Sequence, residues 1–161
     1  PRDNGIAAHR RAIAFLTDRR TALDIGCGSS GRIIDLLIAE GFTVAGVDVS
    51  ARMVELARQR HPGIDIHHAD VCEWTFPGSY DLISAWDSIW HVPLGEQARL
   101  LRKILAALNP KGVCIFTMGG VDRPEEITDT YMGPRVYYGS LGIPGTLALV
   151  AESGCICRHL E

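Results

Sequence analysis

The chain has 161 residues, 47% of them hydrophobic and 22% charged, with a formal net charge of −3. That length and balance suit one domain with one core, expected over residues 1–161, and exclude a disordered, highly charged chain. Without clustered Lys and Arg there is no footprint for a polyanion, so no nucleic-acid partner is expected. No apolar run approaches the ~18 residues of a membrane span, so no membrane partner is expected either.

The five cysteines, Cys27, Cys72, Cys114, Cys155 and Cys157, form no C-x-x-C pair and are odd in number. They suggest neither a disulfide framework nor a zinc site, so no metal is expected, and reduced thiols point to the cytoplasm. Pro1-Arg2-Asp3-Asn4 is not a secretory signal, and a start at Pro leads us to expect a processed or trimmed chain.

Residues 6–20 mix Ala, Ile, Phe and Leu at helical spacing with Arg and Asp, which predicts an amphipathic helix. A first strand follows at 22–25, then a helix at 31–40 with Ile33, Ile34, Leu37 and Ile38 on one face and Gly41 as its stop. A second strand, 43–47, ends at Asp48, and Ser50 is a natural N-cap for a helix at 51–60. The period repeats with strands at 64–67 and 80–85, a helix at 97–108, the turn Asn109-Pro110-Lys111-Gly112 and a strand at 113–118. Residues 119–145 are rich in Gly, Pro, Tyr and acids and break the pattern, so they are a candidate substrate-covering insertion. A last helix is predicted at 147–153 and a last strand at 155–160. Strands alternating with helices imply parallel βαβ units and an α/β three-layer sandwich, because parallel neighbours need a long crossover.

Gly26-x-Gly28-x-x-Gly31 lies directly after a strand and opens a helix, the context in which such glycines approach a nucleotide. Asp48 ends the next strand, where a carboxylate can accept from both hydroxyls of a ribose. To this point NAD(P) and S-adenosylmethionine (SAM) fit equally. Asp24, two residues before the first glycine, separates them: it favours the sulfonium and ammonium of SAM and would repel a pyrophosphate. The bland reading of Asp24 is a carboxylate that only bonds loop amides.

Leu23-Asp24-Ile25-Gly26-Cys27-Gly28-Ser29-Ser30-Gly31 resembles motif I of the class I SAM-dependent methyltransferases. Val47-Asp48-Val49-Ser50, His68-Ala69-Asp70-Val71, Tyr80-Asp81-Leu82-Ile83-Ser84-Ala85 and residues 101–118 are similar to later segments of that family. The resemblance covers about residues 21–119 and implies a Rossmann-like, mostly parallel sheet with SAM as cofactor. It implies cofactor contacts at Asp24, Gly26, Cys27, Gly28, Gly31, Asp48, Val49 and Met53, with Asp70 and Val71 at the adenine edge and Ala85 and Trp86 at the end of the fourth strand. The family's antiparallel seventh strand has no sequence left to form it. A trimmed chain, a displaced sixth strand, or a homodimer pairing it with a second copy are the ways to cover that sheet.

The implied reaction is transfer of a methyl group to a small-molecule acceptor. The acceptor side falls after the fourth strand, because ligands lie outside the carboxyl ends of parallel strands. Asp87 and His91 are the candidate catalytic groups there, with Trp90, Tyr131, Tyr137 and Tyr138 as candidate substrate contacts. The acidic residues near those tyrosines, Asp122, Glu125, Glu126 and Asp129, would suit a cationic or amine acceptor, or simply form a solvated face. An NAD(P)-dependent oxidoreductase and a SAM-binding protein without turnover are the alternatives.

Overall fold

Short apolar runs stopped by Gly or Asp become the strands of a sheet buried on both faces. The computed structural model describes residues 4–131 and 133–161. Their contacts divide into two units, one running through Trp86 and including Ala107–Phe116, the other made of Asp87–Ala106 and Thr117–Glu161.

The first unit holds strands β1 (Thr21–Ile25), β2 (Thr43–Asp48), β3 (Asp65–His68), β4 (Tyr80–Ala85) and β5 (Leu108–Phe116). They pair in the order β3-β2-β1-β4-β5, and every pairing is parallel. Helices α1 (Ile6–Ile13), α2 (Arg32–Ala39) and α3 (Ala51–Arg60) belong to the same unit. The order reverses at β1, so the switch point of the sheet lies between β1 and β4, the crevice where α/β sheets take ligands. Ala22, Ile34, Leu37 and Leu82 are fully buried in its core, each large apolar side chain contributing about 1.5–3 kcal/mol. The Ser50 hydroxyl accepts from Met53 N at 3.4 Å and caps α3 as expected.

Several predicted boundaries move, each for a local reason. The first helix ends at Ile13 rather than at 20, because Arg20 is already part of the sheet edge: its carbonyl accepts from Thr43 N at 2.8 Å and its N–H donates to Asp81 Oδ2 at 2.9 Å. The turn at 109–112 lies inside β5: Tyr80 pairs with Leu108, the ladder resumes at Leu82 with Val113, and Lys111 has φ 66°. Four residues bulge out between those two pairs.

The second unit begins with a 3-10 turn, Ile89–His91, and helix α4 (Leu94–Ala106), which starts three residues before its predicted position and ends before Leu108. The segment at 119–145 contains an antiparallel hairpin of β6 (Glu125–Asp129) and β7 (Val136–Ser140), which the break in the βα pattern did not predict. Helix α5 (Gly142–Glu152) starts five residues earlier than expected. Ser140 sets that start by donating to Gly119 O and accepting from Gly142 N. The expected strand at 155–160 is not formed. Cys155 N closes the end of α5 on Val150 O, no ladder takes the remaining backbone, and Cys157 is exposed.

At the amino end of β1, buried Asp81 collects five donors: Arg20 N, Nε and Nη2, Thr21 N, and Asn109 Nδ2 at 2.7 Å. Burial alone would raise its carboxyl, but the bonds from Asn109, Arg20 and Thr21 outweigh it and hold the pKa at about 2. A depressed carboxylate contributes stability above the unfolded value near 4, and that contribution is lost as pH falls toward 2. Asp81→Ala should lower unfolding free energy by about 2–4 kcal/mol in urea titration and flatten stability over that acid window. A loss below about 0.5 kcal/mol would show that the cluster is not structural.

Candidate functional site

The turn after β1 folds back on the end of β2: Gly26 N and Cys27 N donate to Val47 O at 2.8 and 3.2 Å. Asp48, at the end of β2, then clamps two loops at once. Its Oδ2 accepts from Gly28 N at 2.9 Å and its Oδ1 from Ser50 N at 2.8 Å. Gly28 has φ +58°, and a Cβ built on it would meet nothing within 4 Å. The glycine therefore leaves bare backbone facing open space, the cradle a nucleotide-bearing ligand needs.

Asp24 lies 4% exposed in β1, beside Ser84 in the β1–β4 register. Burial pushes its carboxyl up to about 7, against the opposing pull of a hydrogen bond with Ser84 and of the Arg32 charge, while Asp48 adds to the rise. The loop amide of Gly28 goes to Asp48, and the hydrogen bond given to Asp24 is the one with Ser84. A raised carboxyl contributes stability at low pH that is lost as pH climbs from about 4 to 7. Cys27 is buried, and burial first, then the charges of Asp24 and Asp48, push its thiol up to about 12.

Farther out, Val49, next to Asp48 in sequence, is 70% exposed, and Met53 in the first turn of α3 also faces solvent. Ala69 N donates to Asp48 O, and His68 Nε2 donates to Val49 O, so the ends of β2 and β3 are tied together. Asp70 is exposed, with Oδ1 accepting from Cys72 N at 2.9 Å. Val71 follows it on the same turn. Ala85 is buried at the end of β4. A surface hollow lined by Ala51, Val54, Glu55, Arg58, Gln59 and His68 meets these residues only at His68 and includes none of the predicted cofactor contacts. Its Arg58 is committed to Ile66 O.

Sequence reasoning missed the part played by α1. His9 is fully buried, with Nδ1 2.7 Å from Gly5 O and Nε2 3.0 Å from Ser84 Oγ. Its ring packs on Trp86 at 5.3 Å between centroids. Gly5 has φ +84°, and a Cβ there would come within 2.6 Å of the Trp86 ring. Arg32 Nε donates to Asn4 O, fastening the start of this segment to α2. Two polar residues at apolar positions, His9 on the inner stripe of a helix and Ser84 inside an apolar strand, were the available signal.

In the second unit, Asp87 is exposed with φ 51°, an uncommon conformation outside glycine, and its N–H donates to Thr117 Oγ1 at 2.8 Å. His91 Nδ1 donates to Tyr137 O at 2.9 Å, and Nε2 accepts from the Trp90 indole N–H at 3.0 Å. Both ring nitrogens are thus engaged. Tyr138 packs against Trp90 and His91, and Tyr137 Oη donates to Glu126 while accepting from Leu94 N. These four aromatic residues come together. Tyr131 is 90% exposed near the hairpin tip, apart from them.

Fold and turn define an α/β protein of the Rossmann-like class, with two carboxylates beside a glycine cradle at the switch point. A profile of the methyltransferase-domain family matches residues 22–112. Trans-aconitate 2-methyltransferase of Rhodopseudomonas palustris is 34% identical over 115 residues, covering 70% of this chain and 44% of that protein. The same-named protein of Delftia acidovorans is 36% identical over 131 residues, covering 78% and 47%. An S-adenosylmethionine-dependent methyltransferase from Mesorhizobium loti superposes with a TM-score of 0.76 at 25% identity, over 99% of this chain and 84% of its own. This chain belongs to the class I SAM-dependent methyltransferase family. It spans about half the length of the curated relatives it matches.

The buried, proton-bearing Cys27 gives a direct chemical check, since the thiolate is the reactive form. Iodoacetamide near neutral pH should alkylate exposed Cys157 and modify Cys27 more than about tenfold slower, read by peptide mass spectrometry. Equal rates would contradict the buried turn.

Proposed function

We propose that the chain binds SAM and transfers its methyl group to a small-molecule acceptor. The observation that carries this reading is the buried Asp24 carboxyl beside the Gly28 cradle. A cationic ligand end offsets the cost of ionising a buried carboxyl, whereas a pyrophosphate would add to it. The residues present fit the cofactor. Each oxygen of Asp48 already accepts one amide and keeps a second lone-pair direction, so Asp48 can hold the turn and accept from ribose hydroxyls together. Gly26, Cys27 and Gly28 would give the close backbone approach, whereas at Gly31 the room a Cβ would take is filled by His61 and Arg60 and the glycine serves packing against α3; Val49 and Met53 would be the adenine's apolar bed, with Asp70 and Val71 at its edge. Ala85 and Trp86 would close the methionine end.

SAM supplies a methyl group already activated by its positive sulfur, so the protein's task is in-line positioning and exclusion of water. Asp87 and His91 are the groups we place toward the acceptor. With Nε2 held by Trp90 and Nδ1 spent on Tyr137 O, His91 would have to release the indole before accepting a proton. The arrangement therefore suits an acceptor atom that is already nucleophilic at neutral pH, such as a carboxylate oxygen. The curated relatives' name, a methyltransferase of trans-aconitate, agrees with that chemistry.

SAM or its demethylated product should raise the melting temperature at millimolar concentration, and Asp48→Ala should weaken SAM binding by about 1–3 kcal/mol in calorimetry. Stabilisation by NAD but not by SAM would overturn the reading. Stabilisation by SAM with no methyl transfer to any acceptor pool would leave a binding protein without turnover.

A further inference from the structure

A carboxyl, a hydroxyl and an imidazole buried together cost desolvation that only their mutual hydrogen bonds offset. Asp24, Ser84 and His9 form such a set inside the first unit: Ser84 hydrogen-bonds Asp24, His9 Nε2 lies 3.0 Å from Ser84 Oγ, and His9 Nδ1 lies 2.7 Å from Gly5 O. A carbonyl only accepts, so Nδ1 carries a proton. The direction of the other two bonds is then linked. When Ser84 donates to His9, Asp24 must be the donor to Ser84; when Ser84 donates to Asp24, His9 must be the donor to Ser84. The row thus holds one proton at either end, with every hydrogen bond kept.

We infer that His9 is a positioning residue for the cofactor: through Ser84 it takes up the proton that Asp24 gives up when the cationic end of the ligand binds beside it. This rests on the SAM reading above. In the transfer the Asp24 O–H bond breaks as Ser84 Oγ takes that proton, and the proton Ser84 carried moves to His9 Nε2. The products are a carboxylate facing the ligand and an imidazolium donating to Ser84 Oγ and Gly5 O, and no proton leaves the protein.

The surroundings allow both states. Around Asp24, Arg32 of α2 favours the carboxylate and Asp48 of β2 opposes it, while Cys27 stays a neutral thiol. Around His9, the Trp86 ring lies at 5.3 Å, where an aromatic face tolerates an imidazolium. On α1 itself the charges next to His9 in sequence are the exposed Arg10 and Arg11. Without His9, the proton from Asp24 has to go to solvent. Binding would then compete with protons below about pH 7, the value to which burial raises Asp24.

Calorimetry with SAM in buffers of different ionisation enthalpy counts that proton. The unsubstituted chain should release close to none between about pH 6 and 7, whereas His9→Gln, which keeps a donor for Gly5 O, should release up to one. Its affinity should fall toward tenfold per pH unit below about 7. Ser84→Ala should behave like His9→Gln. A readout free of substitutions is the His9 nitrogen resonances, which should move from the neutral Nδ1–H form to imidazolium on adding SAM. Equal proton counts in all three proteins, or SAM binding with unchanged His9 resonances, overturns the inference and leaves the cofactor reading standing. No SAM binding to the unsubstituted chain overturns both.

Discussion

Placing Asp24 inside the central strand of the sheet is the constraint from which the site follows. A carboxyl that is 4% exposed at the switch point resists ionisation, and the surrounding residues answer that resistance from three sides. Arg32 supplies positive charge from α2, Ser84 a hydrogen bond from β4, and the open cradle at Gly28 a place for a ligand's charge. A hydrophobic residue at this position would be easier to bury and would give the sheet more stability near neutral pH. Retaining the carboxyl makes sense as preparation for a cation, with the cost in the free chain recovered on binding.

Asp48 solves a different problem with the same functional group. Half-buried and held by two backbone N–H groups, it fixes the distance between the turn after β1 and the start of α3 before any ligand arrives. Preorganisation of this kind lowers the entropy lost on binding, because neither loop has to be ordered by the ligand. On the proposed reading, two aspartates on neighbouring strands divide the work, one supplying charge to a cation and the other geometry to a sugar.

The βα alternation was legible because each strand is a short apolar run with a turn residue at its end, and β4 and α3 fall at their predicted limits. Elements whose limits depend on long-range partners were not. Residues 14–20 keep a helical pattern yet leave the helix because Thr43 and Asp81, distant in sequence, take the Arg20 backbone. The hairpin of β6 and β7 was hidden because Glu125-Glu126-Ile127-Thr128-Asp129 is largely polar on both faces, which leaves no apolar alternation to read. Residues 155–160 show the converse: alternation predicted a strand, and without a neighbour the backbone forms none. Among site residues the motif positions on the turn and on β2 could be read directly. His9 could not, since its role comes from a serine 75 positions away that no local pattern connects to it.

The second unit holds the residues proposed for the acceptor side. Its aromatic group is locked by directional bonds: Trp90 donates to His91, His91 to Tyr137 O, and Tyr137 to Glu126. Each donor is spent on a neighbour, so the group offers shape more readily than proton transfer. Chemistry that depends on an already activated methyl group tolerates this, because alignment of donor and acceptor atoms accounts for most of the rate. Asp87 stands at the start of that unit. Held at φ 51° by its N–H bond to Thr117, it keeps an exposed carboxylate directly after Trp86, in a strained conformation that the surrounding structure has to maintain. The same conformation at Lys111 serves the β5 bulge, so the positive φ at Asp87 fixes the course of the turn after β4 and by itself assigns that carboxylate no chemistry.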